Sequence, residues 1–175
     1  SGEAEFQLTF PPIPQNVTRL DFSEGDFEGA YKIWGIQLDK KSFGKFKLPK
    51  DVIVPKADHK MTLPDPIVKY DKAILKGRIL DYQKGMPDKG SLYYQDVIRE
   101  GAQEGKIRIQ DDGTFYHEMN VFMITPCTIM SPFGTIEYLL APGETTSIVI
   151  NLRENARKQS HLRQTEKPYG KEVYY

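Results

Sequence analysis

The chain has 175 residues, 24 basic and 24 acidic side chains, and one cysteine. That length suits one generous domain or two small ones, able to bury about 70% of the surface an unfolded chain exposes. The balanced charge excludes the strong basic field of a nucleic-acid binder, and the lone Cys127 excludes an internal disulfide and any Cys-x-x-Cys redox or zinc pair. No run of about 18 apolar residues occurs, so no membrane-spanning helix is expected. No charged-then-apolar leader opens the chain, and Ser1-Gly2 reads either as an engineered start or as a cut made inside a longer protein. Charge is uneven along the sequence. Residues 1–30 carry Glu3, Glu5, Asp21, Glu24, Asp26 and Glu28 against Arg19, whereas 153–175 carry Arg153, Arg157, Lys158, Arg163, Lys167 and Lys171 against three Glu. Both runs read as solvated surface.

Alternation over 3–10 places Ala4, Phe6, Leu8 and Phe10 on one face of a predicted strand, which Pro11, Pro12 and Pro14 then stop. Strands are also predicted over 17–22 and 31–38, the latter internal because its apolar residues fall on both faces. This gives a partial β-sandwich unit over 1–48. Pro49, Pro55, Pro64 and Pro66 then mark 49–69 as an extended linker with short strand-like contacts. From residue 70 the rhythm resumes, with strands predicted over 73–80, 91–98, 106–110, 114–121, 122–130, 135–141 and 145–152. Asp111-Asp112-Gly113 reads as a hairpin turn, and so does Pro142-Gly143 between two β-branched segments. The fold class is therefore all-β, an antiparallel β-sandwich of immunoglobulin-like or transthyretin-like type over 70–152. A partial β unit precedes it, and 153–175 forms a short charged helix or loop and a tail that leads to a missing domain.

Candidate chemistry is sparse. His59, His117 and His161 lie far apart with no ligand spacing, and a metal site needs convergent donors. Asp111-Asp112-Gly113 lacks the oxygen donors and distal Glu of a calcium loop and reads as a turn. Glu24-Gly25-Asp26-Phe27-Glu28 reads as a solvated loop. Ser131 precedes a turn without the elbow or base of a nucleophilic serine. Cys127 lies in an apolar stretch and reads as a buried structural thiol. Pro11-Pro12-Ile13-Pro14 is explained by strand termination, and Asn16-Val17-Thr18 matches a glycosylation acceptor that matters only in a eukaryotic secretory setting. Tyr31, Trp34, Tyr93, Tyr94, Tyr138, Tyr174 and Tyr175 are the candidates for a glycan platform, although sandwich cores use the same residues. No catalytic, cofactor-binding or metal residue is assigned, and no cofactor is expected.

Several segments carry a family resemblance. Residues 1–14 (SGEAEFQLTFPPIP), 20–26 (LDFSEGD) and 31–38 (YKIWGIQL) resemble the end of the N-terminal β-rich region of TlpA-like, thioredoxin-family thiol-disulfide oxidoreductases from the envelope of gut Gram-negative anaerobes. Ser131-Pro132-Phe133-Gly134 with 138–145, and 150–154 with 160–163, are similar to the hairpin and basic stretch preceding the catalytic part of that family. The resemblance implies a redox domain bearing Cys-x-x-Cys at a helix start. This chain has no such pair, so no catalytic residue carries over. The expectation is a non-catalytic accessory module in the periplasm or cell envelope. Its partners would be other proteins, the missing C-terminal domain, or a second copy through strand edges. The alternative is a cell-surface glycan- or ligand-binding sandwich.

Overall fold

Side chains alternate between buried and exposed along the strands with a period of two, and this alternation decides which face of each strand meets the core. The structure, a computed structural model, describes residues 7–27, 29–38, 47–50, 52, 62, 65, 68–96, 98, 101–159 and 167–175. The chain divides into two units, Ser1–Lys45 and Phe46–Tyr175.

In the first unit, β1 (Arg19–Ser23) pairs antiparallel with β2 (Lys32–Gln37). The register shifts between Leu20 and Phe22, so one strand carries an extra residue at a β-bulge. Gly35 adopts a left-handed φ of 70° at this point. Its N–H donates to Asp21 Oδ1 at 2.7 Å, which fixes the bulge. Phe10 meets Phe22 edge-on with ring centroids 6.1 Å apart, yet no described residue of this unit is buried. The strand expected over 3–10 does not form in its described part. Residues 7–10 are exposed and outside any ladder, since the prolines that follow cannot donate to one; residues 3–6 lie outside the described residues. Nor is β2 internal, because among the described residues it has β1 as its single neighbour.

The second unit holds all seven expected strands: β3 (Asp71–Leu80), β4 (Lys89–Gln95), β5 (Ala102–Arg108), β6 (Thr114–Val121), β7 (Thr125–Ser131), β8 (Gly134–Leu140) and β9 (Thr145–Asn151). Helix α1 (Leu152–Gln159) and β10 (Val173–Tyr174) follow. The strands form two sheets, ordered β10-β9-β3-β6 and β5-β4-β7-β8. Leu75, Ile79, Phe115, Met119, Ile148 and Ile150 of the first sheet pack in one cluster with Leu92, Ile107, Ile129, Ile136, Tyr138 and Leu140 of the second. Each fully buried aliphatic side chain contributes about 1.5–3 kcal/mol, so this sandwich core is the main source of stability. The all-β class holds. The expected linker falls mostly outside the described residues.

The Pro142-Gly143 turn does not close a hairpin. Strand β8 belongs to one sheet and β9 to the other. The Gly143 N–H donates to the Lys72 carbonyl and the Ile74 N–H to the Glu144 carbonyl, both at 2.9 Å, so β3 takes up the turn's backbone and β9 runs on beside β3 in parallel. Both strands carry an apolar face, and an arch lets those faces meet across the core, where a hairpin would set them side by side. The sandwich thus contains one parallel pair among antiparallel ones. At Asp111-Asp112-Gly113 the turn forms, with Gly113 at φ 80°. The Ile109–Phe115 bridge joins its arms before β5 and β6 diverge to different sheets.

The tail is built into this unit through polar groups. Asn151 caps α1 by accepting from the Glu154 N–H at 3.3 Å. Its amide also donates to the carbonyls of Tyr169 at 2.7 Å and Lys171 at 3.2 Å. Glu154, 2% exposed, accepts from the Tyr169 N–H at 2.8 Å and holds Arg157 through two hydrogen bonds. Lys158 pairs with Glu172 at 2.7 Å. Strand β10 then adds to β9, with Tyr174 opposite Val149.

Gly77 sits opposite Phe115 in the β3–β6 ladder, and a Cβ at residue 77 would overlap the Phe115 ring. The aromatic ring lies over the space that the missing side chain leaves. Gly77→Ala is expected to lower stability by ~1–3 kcal/mol through overpacking, read from urea unfolding. In a Phe115→Leu background the same change should cost clearly less; equal costs in both backgrounds would refute the contact.

Candidate functional site

Cys127 lies on the inner face of β7, directly opposite Tyr138 of β8. Both are buried, at 3% and 6% exposed. Burial pushes the thiol up to about 11, with the Tyr138 hydroxyl drawing it back slightly. Burial likewise raises the Tyr138 phenol, helped by the facing thiol. The phenol oxygen has no well-formed hydrogen bond among the described residues, so its neighbour is a weak donor and acceptor. A thiol held in its protonated form in an apolar interior is a poor nucleophile and a poor metal ligand. This environment is the opposite of the one that a disulfide-exchanging cysteine needs.

His117 is the second titratable group facing inward. It stands on β6 opposite Leu75 and reaches towards β5, where a Cβ at Gly105 would lie 2.8 Å from Nε2. Burial lowers its pKa from the usual value, while a hydrogen bond to the Lys106 main chain works the other way. His59 and His161 lie outside the described residues. Among the described residues no group of three His, Cys, Asp or Glu could hold a metal ion.

The remaining candidates are occupied locally. A hollow of about 680 Å³ at the β5–β6 corner is lined by Asp88, Arg108, Asp111, Asp112 and Thr114. Its carboxylates are engaged: Asp111 by Lys84 at 2.7 Å, Asp88 by Arg108 at 3.7 Å, and Asp112 by the Thr114 hydroxyl and N–H. The Ser131 hydroxyl donates to the Gly134 carbonyl at 3.2 Å and accepts from the Phe133 N–H, closing the β7–β8 turn. The tyrosines divide. Tyr138 is buried, Tyr94 packs on the core, and Tyr93 is half-buried. Tyr174 and Tyr175 border an open groove of about 310 Å³ whose floor includes Lys76, Arg78, Ser147 and Val149. Tyr31 is exposed and Trp34 half-buried in the other unit. Within the sandwich the described tyrosines thus make no single platform.

The sheet edges are treated unequally. Three carbonyls along the outer side of β8 and its turn accept side-chain donors from elsewhere in the unit: Phe133 from Asn155 at 2.6 Å, Glu137 from the Tyr175 hydroxyl at 2.9 Å, and Leu139 from the Thr146 hydroxyl at 3.0 Å. At the centre of β5 the Lys106 main chain is bonded by the His117 ring. Lys106 pairs with Glu104 on the same strand, so β5 also carries charges that discourage strand pairing. Among the described residues no helix is long and apolar enough to cross a membrane.

Two outcomes follow from these environments. In the native protein Cys127 should resist an aromatic disulfide reagent at pH 8 and react fully once guanidinium unfolds the chain; equal rates in both states would place the thiol at the surface. For His117, the folded state prefers the neutral ring, so its contribution is complete above the ordinary value of 6.5 and is lost as pH falls below it. The stability difference between the protein and its His117→Gln variant, measured by urea titration, should shrink between pH 7.5 and pH 5.5. A difference that grows over that range would overturn the assignment.

No family model matches the chain, and neither a curated protein nor a solved structure matches it significantly.

Proposed function

We propose that this chain is a non-catalytic accessory module of a cell-envelope thiol-disulfide oxidoreductase, a β-sandwich that spaces or presents the redox domain and contacts protein partners. The observation that carries the reading is the state of its one thiol. Cys127 is buried, kept protonated and set against Tyr138, so disulfide exchange would have to reside in another part of such a protein. The reading draws further support from the segments that resemble the β-rich region of TlpA-like proteins. Several of these now have structural roles: Ser131 and Gly134 form the β7–β8 turn, 141–144 the arch, and 150–154 the passage from β9 into the capped helix. The polar staple from α1 to residues 169–172 orients the exit of the chain, as a module that positions a neighbouring domain requires. In the periplasm or cell envelope such a module would act by contact.

The test is the parent reading frame beyond Tyr175. A thioredoxin-like domain with Cys-x-x-Cys at a helix start is expected there, and the joined protein should reduce insulin disulfides while the 175-residue chain alone does not. A frame without such a domain, or turnover by the isolated chain, would remove the reading.

A further inference from the structure

The sandwich is polarised along its strands. One end gathers the starts of β3, β5, β7 and β9 with the ends of β4, β6 and β8, and its connections carry Val68, Tyr70, Ile98, Met123 and Ile124, each between 38% and 71% exposed. These residues are neighbours. The Lys69 N–H donates to the Phe122 carbonyl at 2.8 Å, and the Tyr70 and Phe122 ring centroids lie 4.4 Å apart. The β4–β7 register, which sets Tyr94 opposite Cys127, brings the β4–β5 connection beside 122–124. At the opposite end the connections carry ion pairs instead, Asp81 with Arg153, Lys84 with Asp111 and Asp88 with Arg108. Tyr82 and Phe133 there pack on the core, and no described residue of those connections exposes a large apolar side chain. Apolar side chains exposed singly are ordinary, but a contiguous set confined to one end marks a contact surface.

Polar groups at the apolar end are partnered within the protein. The Tyr70 hydroxyl accepts from Asn120 on β6 at 3.1 Å, so the ring meets Phe122 while its polar tip lies on the sheet side. Lys69 pairs with Asp71, and Lys72 with Glu118 at 2.7 Å. The Met123 carbonyl accepts from the Thr125 hydroxyl at 2.8 Å, and the Ile98 N–H donates to Asp96 at 2.9 Å. Each of these pairings lowers the cost of leaving water. Lys69 and Lys72 stand against Asp71, Asp96 and Glu144, so this end carries no basic field. Apolar tips, with an aromatic ring whose hydroxyl is directed back towards the polar side, match the boundary between lipid headgroups and acyl chains.

From this polarity we infer that the end formed by 68–70, Ile98 and 122–124 docks on an uncharged, zwitterionic lipid surface. Val68, Ile98, Met123 and Ile124 enter the headgroup layer and Tyr70 sits at its boundary. Apolar side chains on three separate tips suit a deformable surface, and shallow burial of such side chains supplies the attraction. The charge balance selects the lipid: anionic headgroups attract basic clusters, and here acidic groups outnumber basic ones. Docking goes beyond the accessory-module reading and stands on the sandwich alone, so its failure would leave the redox-domain test untouched.

The full chain should float with phosphatidylcholine vesicles in a density gradient, equally at low and high salt, and anionic lipid should not raise the bound fraction. A variant carrying both Met123→Asp and Ile124→Asp, two exposed positions, should keep its circular dichroism spectrum and lose roughly tenfold or more in binding. Insertion is read separately with a polarity-sensitive dye on a single introduced cysteine, since Cys127 is buried. The dye on Ile124→Cys should shift to the blue with vesicles, and on Lys84→Cys at the ion-paired end it should not. This arm decides the matter even if the aspartates unfold the chain. No flotation, binding that requires anionic lipid and disappears in salt, or undiminished binding by the folded double variant would each overturn the proposal. So would a chain that ignores vesicles and self-associates through this end, which would assign the surface to a second copy.

Discussion

The sandwich depends on two places where the chain leaves one sheet and enters the other. At Asp111-Asp112-Gly113 and at 141–144 the turns hand the backbone across the core, and every buried side chain on β6 and β9 owes its orientation to them. Gly113 is required at the first: a Cβ there would lie 2.7 Å from the Ile79 carbonyl oxygen, and its φ is left-handed. At the second, β3 supplies the hydrogen bonds that hold the arch. If either crossing became a full hairpin, the strand after it would move to the wrong sheet and one inner face would lose its cover. The apolar residues would be the same, but they would no longer meet.

Crossing also generates the edges, and the way each is treated follows from which groups the crossing brings near. Strand β9, arriving through the arch, places Thr146 beside the Leu139 carbonyl, and the tail that pairs with β9 places Tyr175 beside Glu137. Strand β6, arriving through the corner, turns His117 back towards β5. In each case a donor from one sheet satisfies the edge of the other, which closes the sandwich and discourages uncontrolled pairing.

The strands were largely legible and their pairing was not. Alternation over 114–121 marks β6 to the residue, and 73–80, 135–141 and 145–152 lie within two residues of β3, β8 and β9. Alternation reports which side of a strand is buried, but hairpins and arches produce the same pattern, so Pro142-Gly143 reads as a hairpin from residues that serve an arch equally well. The parallel β3–β9 pair is long-range and leaves no local signal. Over 7–10, the described part of the predicted first strand, alternation misleads in the opposite way, since an apolar stripe forms a strand only when a partner ladder lies beside it. Burial of Cys127 could be inferred from its apolar neighbours. The facing Tyr138 could not, because cross-strand register is needed to bring residues 127 and 138 together.

Hydropathy is least informative at α1. Arg153 to Gln159 is charged and nearly devoid of apolar residues, so it reads as a solvated helix or loop that buries little. Yet Asn151, Glu154 and Asn155 are all buried, because each finds donors or acceptors in the segment 169–172 or the β7–β8 turn. Such burial adds little net stability, since the desolvation of Glu154 and Arg157 opposes their attraction. Removing one partner is another matter and would cost about 3–5 kcal/mol by stranding the other. The value of the network therefore lies in specificity. An apolar patch would hold the tail in many registers, whereas Asn151, Glu154 and Asn155 hold residues 169, 171 and 172 in one, and that single register lets β10 add to β9 and Tyr175 reach the edge of β8.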